Sequence, residues 1–206
     1  MDKIKVLNLY AGIGGNRKYW ENVEVTAVEY KQEIADIYKH FFPNDKVIVA
    51  DAHQYLLEHF EEFDFIWSSP PCPSHSRIRK FSAVARGQNK PIFPNMKLYE
   101  EILFLQGYFK GKWIVENVIS WYDPLIKPFE SGSHYFWSNF VIPNLKTNNR
   151  EHCSKNKVLE ERKGFDLSLF KNLETDKKLL LRNCVEPEVG KDIFDSAFKH
   201  KQMRLI

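Results

Sequence analysis

The chain has 206 residues, long enough for one domain with a sizeable core and too short to hold a second enzyme. Hydrophobic residues make up 43% and charged residues 28%, and no apolar run approaches membrane-spanning length, so the composition is that of a globular domain. The net charge of +3 names no partner as a total, and the three cysteines, Cys72, Cys153 and Cys184, are too few and too scattered for a disulfide framework or a four-ligand metal site.

Read along the chain, the first half alternates strand-like and helix-like segments, the pattern of an α/β fold with a largely parallel sheet. Met1 to Lys5 lacks a secretory signal and leads into a strand over 3–9, so a cytosolic location is expected. The glycine turn Ala11-Gly12-Ile13-Gly14-Gly15 follows, then a predicted short helix around Arg17 to Trp20. A strand over 24–28 precedes a helix over 31–42 with Ile34, Ile37, Tyr38 and Phe41 on one face, ended by Pro43. Next come a strand over 46–49, a short helix over 55–60 and a strand over 63–67. That last strand delivers Ser69-Pro70-Pro71-Cys72-Pro73, a thiol on a loop whose prolines restrict the backbone on both sides of it.

The later elements are fewer. A helix over 96–109 leads to a strand over 112–115 ending in Glu116-Asn117-Val118, and 135–142 reads as an aromatic, β-branched strand. From about 143 to 178 the chain turns polar and lysine-rich with weak periodicity, as in an insertion or loop-rich lobe. A closing helix over 189–198 is introduced by Pro187. Between Asp64 and Glu100 there is no acidic residue, whereas Arg77, Arg79, Lys80, Arg86, Lys90 and Lys97 all lie there. Such a stretch suits a polyanion, although a solvated basic loop has the same composition.

In a doubly wound sheet, ligands bind at the carboxyl ends of strands where the strand order reverses. Gly12 and Gly14 follow the first strand, Glu29 ends the second where an acid would accept from ribose hydroxyls, and Asp51 follows the third where it would meet an adenine amine. Each acid alone is an ordinary strand end; the ordered set points to a nucleoside cofactor. Arg17 stands where a dinucleotide motif needs glycine, which disfavours a nicotinamide fold.

Taken together and in order, these segments resemble the DNA (cytosine-5) methyltransferases. Tyr10 to Gly15 is similar to that family's first motif, Glu29-Tyr30 to the second, Asp51-Ala52 to the third, Pro70-Pro71-Cys72 to the nucleophile motif and Glu116-Asn117-Val118 to its Glu-Asn-Val. Tyr135 to Asn139 resembles the strand after the arginine motif, and Arg182 to Pro187 a degenerate closing motif, so the resemblance spans residues 5–198. Two departures stand out. Gly132 and His134 occupy the usual arginine places, and only about forty residues separate that strand from the closing motif.

The resemblance implies a Rossmann-like, S-adenosylmethionine-dependent fold, with residues 1–142 and 180–206 as the catalytic domain and 143–179 as a small target-recognition insertion. It implies Cys72 and Glu116 as catalytic residues and Tyr10, Gly12, Gly14, Glu29, Tyr30, Asp51, Ala52, Pro70 and Asn183 around the cofactor, with no metal. The expected substrate is a flipped cytosine in double-stranded DNA, gripped by Arg77, Arg79, Lys80, Arg86 and His134, with 77–90 as a loop closing on the strand. A short recognition region leaves room for a protein partner that supplies specificity. A compact enzyme of this kind suits phage or restriction-modification systems and a nucleoid-associated place in a prokaryotic cytoplasm. Two alternatives stay open: methylation of cytosine in RNA, and nucleic-acid binding without turnover.

Overall fold

The computed structural model describes residues 2–87, 92–143, 145 and 155–198. Their strands, β1 (Ile4–Leu9), β2 (Val23–Glu29), β3 (Lys46–Val49), β4 (Phe65–Ser68), β5 (Lys112–Val118), β6 (Phe129–Ser131) and β7 (His134–Ser138), form one sheet in the order β3-β2-β1-β4-β5-β7-β6. β1 to β5 are parallel; β7 runs antiparallel to both β5 and β6. The chain therefore winds outward from β1 to β3, then returns to the other side of β1, and the order reverses between β1 and β4. In open α/β sheets ligands bind at the carboxyl ends of the strands beside such a reversal.

The central strands read as continuous apolar runs because both faces are covered. Leu7, Leu9, Ile66 and Val115 enter one cluster with Leu56 of α2 (Ala52–His59) and Leu98, Ile102 and Leu105 of α4 (Lys97–Tyr108). Their sequence neighbours Val6, Phe65, Trp67 and Ile114 point the other way, against Trp20 and Val189, Ile193, Phe194 and Ala197 of α7 (Pro187–Phe198). Successive side chains alternate across the sheet, which is the strand period of two. The doubly wound α/β fold read from the sequence is the fold observed.

Four local expectations are corrected. Residues 15–19 form consecutive turns where a helix was expected around 17–20. Asn16 exchanges side-chain hydrogen bonds with buried Asn8 (2.7 and 3.3 Å), and Arg17 forks onto Asp45 (2.8 and 3.1 Å) while bonding the Trp20 carbonyl, so the segment is pinned from outside. The expected 135–142 strand stops at Ser138, whose hydroxyl turns to the Phe140 carbonyl, and it pairs with β6, which alternation did not reveal in three residues. The basic segment is the helix α3 (Arg77–Ala85), capped by Ser76, rather than a loop; Lys90 lies outside the described residues.

The last correction concerns the polar lobe. Its described part contains α5 (Asn156–Lys163) and leads to α6 (Lys177–Asn183). Leu159, Phe165, Leu167, Leu180 and Leu181 form a third apolar cluster with Ile13 of the glycine turn and Ile34 and Ile37 of α1 (Gln32–Phe41). Periodicity failed here because the buried residues are divided between two short helices and the segment joining them.

α7 crosses the glycine turn so closely that a Cβ on Gly190 would collide with the Asn16 backbone, while one on Gly107 of α4 meets nothing within 4 Å. Gly190→Ala is expected to destabilise the fold by about 1–2 kcal/mol in urea unfolding, because a backbone shift outweighs the helix propensity gained. Gly107→Ala should instead stabilise by about 0.5–1 kcal/mol.

Candidate active site

Cys72 leaves β4 on a loop poor in donors of its own, since Pro70, Pro71 and Pro73 have no backbone N–H to give. Its partners come from β5 and the segment after it. The Asn117 side-chain amide donates to the Pro70 carbonyl (2.9 Å), the Arg77 amide to the Ile119 carbonyl (3.2 Å), the Trp121 amide to the His75 carbonyl (3.0 Å) and the Trp121 indole to the Ser74 carbonyl (3.0 Å). The Cys72 carbonyl accepts from the amides of His75 and Ser76 (3.0 Å each), which turns the chain into α3. The loop is thereby fixed to the strand that carries Glu116.

Glu116 is buried at the end of β5, with its Oε1 3.6 Å from Nε2 of His134. Burial pushes the Cys72 thiol above the ordinary cysteine range, the Glu116 carboxyl pushes the same way, and Arg79 pulls it back. A half-buried thiol, an acid and a guanidinium therefore share one electrostatic neighbourhood. His134 faces the acid from the place where the resemblance led us to expect an arginine. Gly132 forms the β6–β7 turn at φ +61°, a conformation that arginine would adopt only under strain.

The other expected residues lie mostly at the carboxyl ends of β1, β2, β3 and β4. Glu29 accepts from the Gly12 amide through Oε2 and from the Lys31 amide through Oε1 (3.1 Å each), leaving a lone pair on each oxygen. A Cβ on Gly12 would meet nothing within 4 Å, so the loop backbone beside that carboxylate is open to close approach by a cofactor. Gly14 serves packing instead. At φ +86° its Cα faces the Tyr38 and Phe42 rings, and a side chain would collide with them. Asp51 caps α2 through the Gln54 amide (3.0 Å), which together with Lys97 holds its carboxyl below the usual range. Tyr30 is exposed, Ala52 is packed in the core, Pro70 is buried, and Asn183 is exposed at the end of α6.

Arg77, Arg79, Lys80 and Arg86 all line α3 or its end, and every one is exposed. No residue of α3 is buried, and Ile78, Phe81 and Val84 are exposed with the cations. The Lys80 ammonium lies 3.4 Å from the Trp121 ring centroid.

Sequence reasoning missed Glu101 and His75. Glu101 is fully buried on α4, accepting from the Tyr10 hydroxyl (2.6 Å) and the Ser68 hydroxyl (2.6 Å), with Nδ1 of His53 at 3.1 Å. The hydrogen bond to Glu101 raises the His53 pKa against the opposing effect of burial. An acid in the middle of the apolar stripe Leu98, Tyr99, Ile102 and Leu105 was the signal available for it. His75 is buried with Nδ1 2.6 Å from the Tyr122 hydroxyl, and burial lowers its pKa. No group of three potential metal ligands occurs among the described residues, and none of their helices is long and apolar enough to cross a membrane.

The model of the C-5 cytosine-specific DNA methylase family matches residues 4–118. The chain is similar to the tRNA (cytosine(38)-C(5))-methyltransferases of Rattus norvegicus and Homo sapiens, 32% and 31% identical over 85 residues, which is 38% of this chain and 22% of each relative. The match thus covers a minor part of those proteins' length. The Entamoeba histolytica methyltransferase EhMeth is similar in fold, with a TM-score of 0.52 over 97% of this chain and 99% of that chain at 11% identity. The Spodoptera frugiperda DNMT2 mutant structure aligns with 56% of this chain and 36% of its own at 26% identity and a TM-score of 0.41.

The raised thiol can be read without substrate. Alkylation of Cys72 by iodoacetamide, followed by peptide mass spectrometry across pH, should show a midpoint above that of a free cysteine. Glu116→Gln removes a negative charge and is expected to move the midpoint down; Arg79→Ala removes the opposing positive charge and should move it up.

Proposed function

The chain belongs to the C-5 cytosine-specific DNA methylase family, and from that membership we propose that it methylates carbon 5 of cytosine in DNA, with Cys72 as nucleophile and Glu116 as acid. The observation that carries this reading is the Asn117–Pro70 hydrogen bond, which ties the thiol's loop to the strand end bearing the acid. Cytosine carbon 5 is a poor nucleophile. Attack of the Cys72 thiolate on carbon 6 makes the ring enamine-like and carbon 5 nucleophilic, while Glu116 hydrogen-bonds the N3/N4 edge and stabilises protonation at N3. Once carbon 5 has taken the methyl, loss of its proton re-forms the ring double bond and expels the thiol.

S-adenosylmethionine, the family's methyl donor, supplies an electrophilic methyl from its sulfonium when bound. In this reading Glu29 holds the ribose, Asp51 the adenine edge, Gly12 leaves room at the methionine end, and Tyr10, Gly14, Tyr30, Ala52, Pro70 and Asn183 shape the surroundings. Arg77, Arg79, Lys80 and Arg86 take phosphates, and His134 stands beside Glu116 where the base enters. Residues 143–179 serve target recognition through their outer surface, since Leu159 and Lys163 of α5 face inward. A cytosine in RNA is a second reading, favoured by the similarity to tRNA (cytosine(38)-C(5))-methyltransferases.

Two measurements test this. Glu29→Ala should weaken S-adenosylhomocysteine binding by about tenfold or more in calorimetry, the scale of one charge-assisted hydrogen bond. With 5-fluorocytosine in a duplex DNA and in an RNA hairpin, fluorine replaces the proton whose loss frees the enzyme, so a stable adduct should accumulate at Cys72 in the presence of S-adenosylmethionine. Cys72→Ser should form none. Preferential adduct on the hairpin would select the RNA reading, and normal turnover by Cys72→Ser would overturn the mechanism.

A further inference from the structure

Three hydrogen-bonding groups from three separate elements converge on one fully buried carboxyl. Tyr10 follows β1, two residues before Gly12. Ser68 ends β4, four residues before Cys72. His53 lies in the first turn of α2, two residues after Asp51. All three meet Glu101. A carboxyl at a site with no solvent exposure is costly unless its oxygens are satisfied, and here both are: Oε1 meets Tyr10 and His53, and Oε2 meets Ser68. A leucine there would strand the Tyr10 and Ser68 hydroxyls and would also disconnect the two loops that carry them.

The contacts are directional. Tyr10 sits at φ +54°, a left-handed conformation that costs a tyrosine free energy and persists only where surrounding contacts enforce it. Its hydroxyl bond to Glu101 is such a contact. Burial holds the Tyr10 phenol proton well above the ordinary tyrosine range, reinforced by Glu101, so the hydroxyl remains a donor. On the other side, the segment from Ser68 to Cys72 is stiffened by Pro70 and Pro71, so a rotation at Ser68 is carried along the loop rather than absorbed in it.

We propose that Glu101 is a positioning residue for methyl transfer: its carboxyl holds the glycine loop, through Tyr10, and the nucleophile loop, through Ser68, in one register. His53 extends the same register to the α2 cap that carries Asp51. Glu101 touches neither base nor cofactor in this scheme. The proposal rests on the functional reading above for what the two loops carry, and on the structure for the fact that they are joined.

The test separates the two arms by removing one hydroxyl at a time. Tyr10→Phe should weaken S-adenosylhomocysteine binding in calorimetry by about threefold to tenfold while leaving the Cys72 alkylation rate within about twofold. Ser68→Ala should do the reverse. Glu101→Leu, checked for folding by circular dichroism, should change both, and Glu101→Gln, which can accept from one hydroxyl and donate to the other, should restore much of each. If Glu101→Leu does not fold, the two hydroxyl deletions decide. A lowered melting temperature with neither affinity nor alkylation rate altered in any variant would make Glu101 a stabilising residue only and overturn the proposal. So would equal changes in both measurements from each hydroxyl deletion. Should the unaltered protein bind no S-adenosylhomocysteine, the functional reading fails, while the effect of Ser68→Ala on Cys72 still decides whether the nucleophile loop depends on Glu101.

Discussion

The hydrogen bond from the Asn117 amide to the Pro70 carbonyl is the interaction on which the arrangement of the site depends. Prolines make the Cys72 loop stiff but remove donors from it, so the loop has shape but few donors with which to anchor itself. β5 supplies the anchor. Parallel pairing of β4 and β5 sets Ser68 opposite Val115, which brings Asn117 beside the loop as it leaves the sheet. Asn117 also accepts from the Val118 amide (3.0 Å), which orients its side chain toward Pro70. The residue next to Glu116 is thus set by the geometry of the neighbouring loop.

The space beside the glycine turn shows a second constraint. The crossover from β1 to β2 contains turns where a helix was expected, so the apolar face of α1 is covered by residues far along the chain. Buried Lys163 reaches back from α5 to the Cys184 carbonyl, Lys18 of the turn reaches the Gly164 carbonyl, and Glu33 of α1 accepts from the amides of Glu174 and Thr175 (2.9 Å each). Arg162 pairs with Glu186 at 2.8 Å in the closing segment. That ion pair gives Glu186 a structural role in the closing segment.

These two constraints explain what could be read from the sequence. β1 to β4, α1, α4 and α7 were legible because each is a run long enough for its burial pattern to appear locally: β1 and β4 as continuous apolar stretches, α1 as a 3.6-residue stripe. The glycine turn, Glu29, Asp51, Cys72 and Glu116 were legible as residue types at strand ends. What could not be read depends on partners distant in the chain. The turns at 15–19 are set by Asp45 and Asn8, β6 by β7, and the state of Glu101 by Tyr10, His53 and Ser68. A basic stretch can be recognised by composition, whereas its form as a capped helix depended on one serine, Ser76, accepting from the Arg79 amide (3.2 Å).

α3 then has an unusual energetic position. It buries none of its residues, so its stability comes from the Ser76 cap, the stitches between 74–77 and 119–121, and Lys80 over Trp121, all of them at its N-terminal half. Among the described residues nothing comparable fixes the helix beyond Lys80, and Phe81 is 62% and Val84 47% exposed. Short helices without tertiary packing are marginal in water, so the C-terminal half is held mainly by continuity with the anchored end. In the proposed reading this asymmetry has a use. The anchored half keeps Arg79 within electrostatic reach of Cys72, and the free half presents Phe81 and Arg86 to a strand that would supply both the apolar surface and the negative charge the helix lacks. Part of the binding energy would go into ordering that half, coupling the grip on nucleic acid to the setting of the thiol through the segment from Cys72 to Arg77.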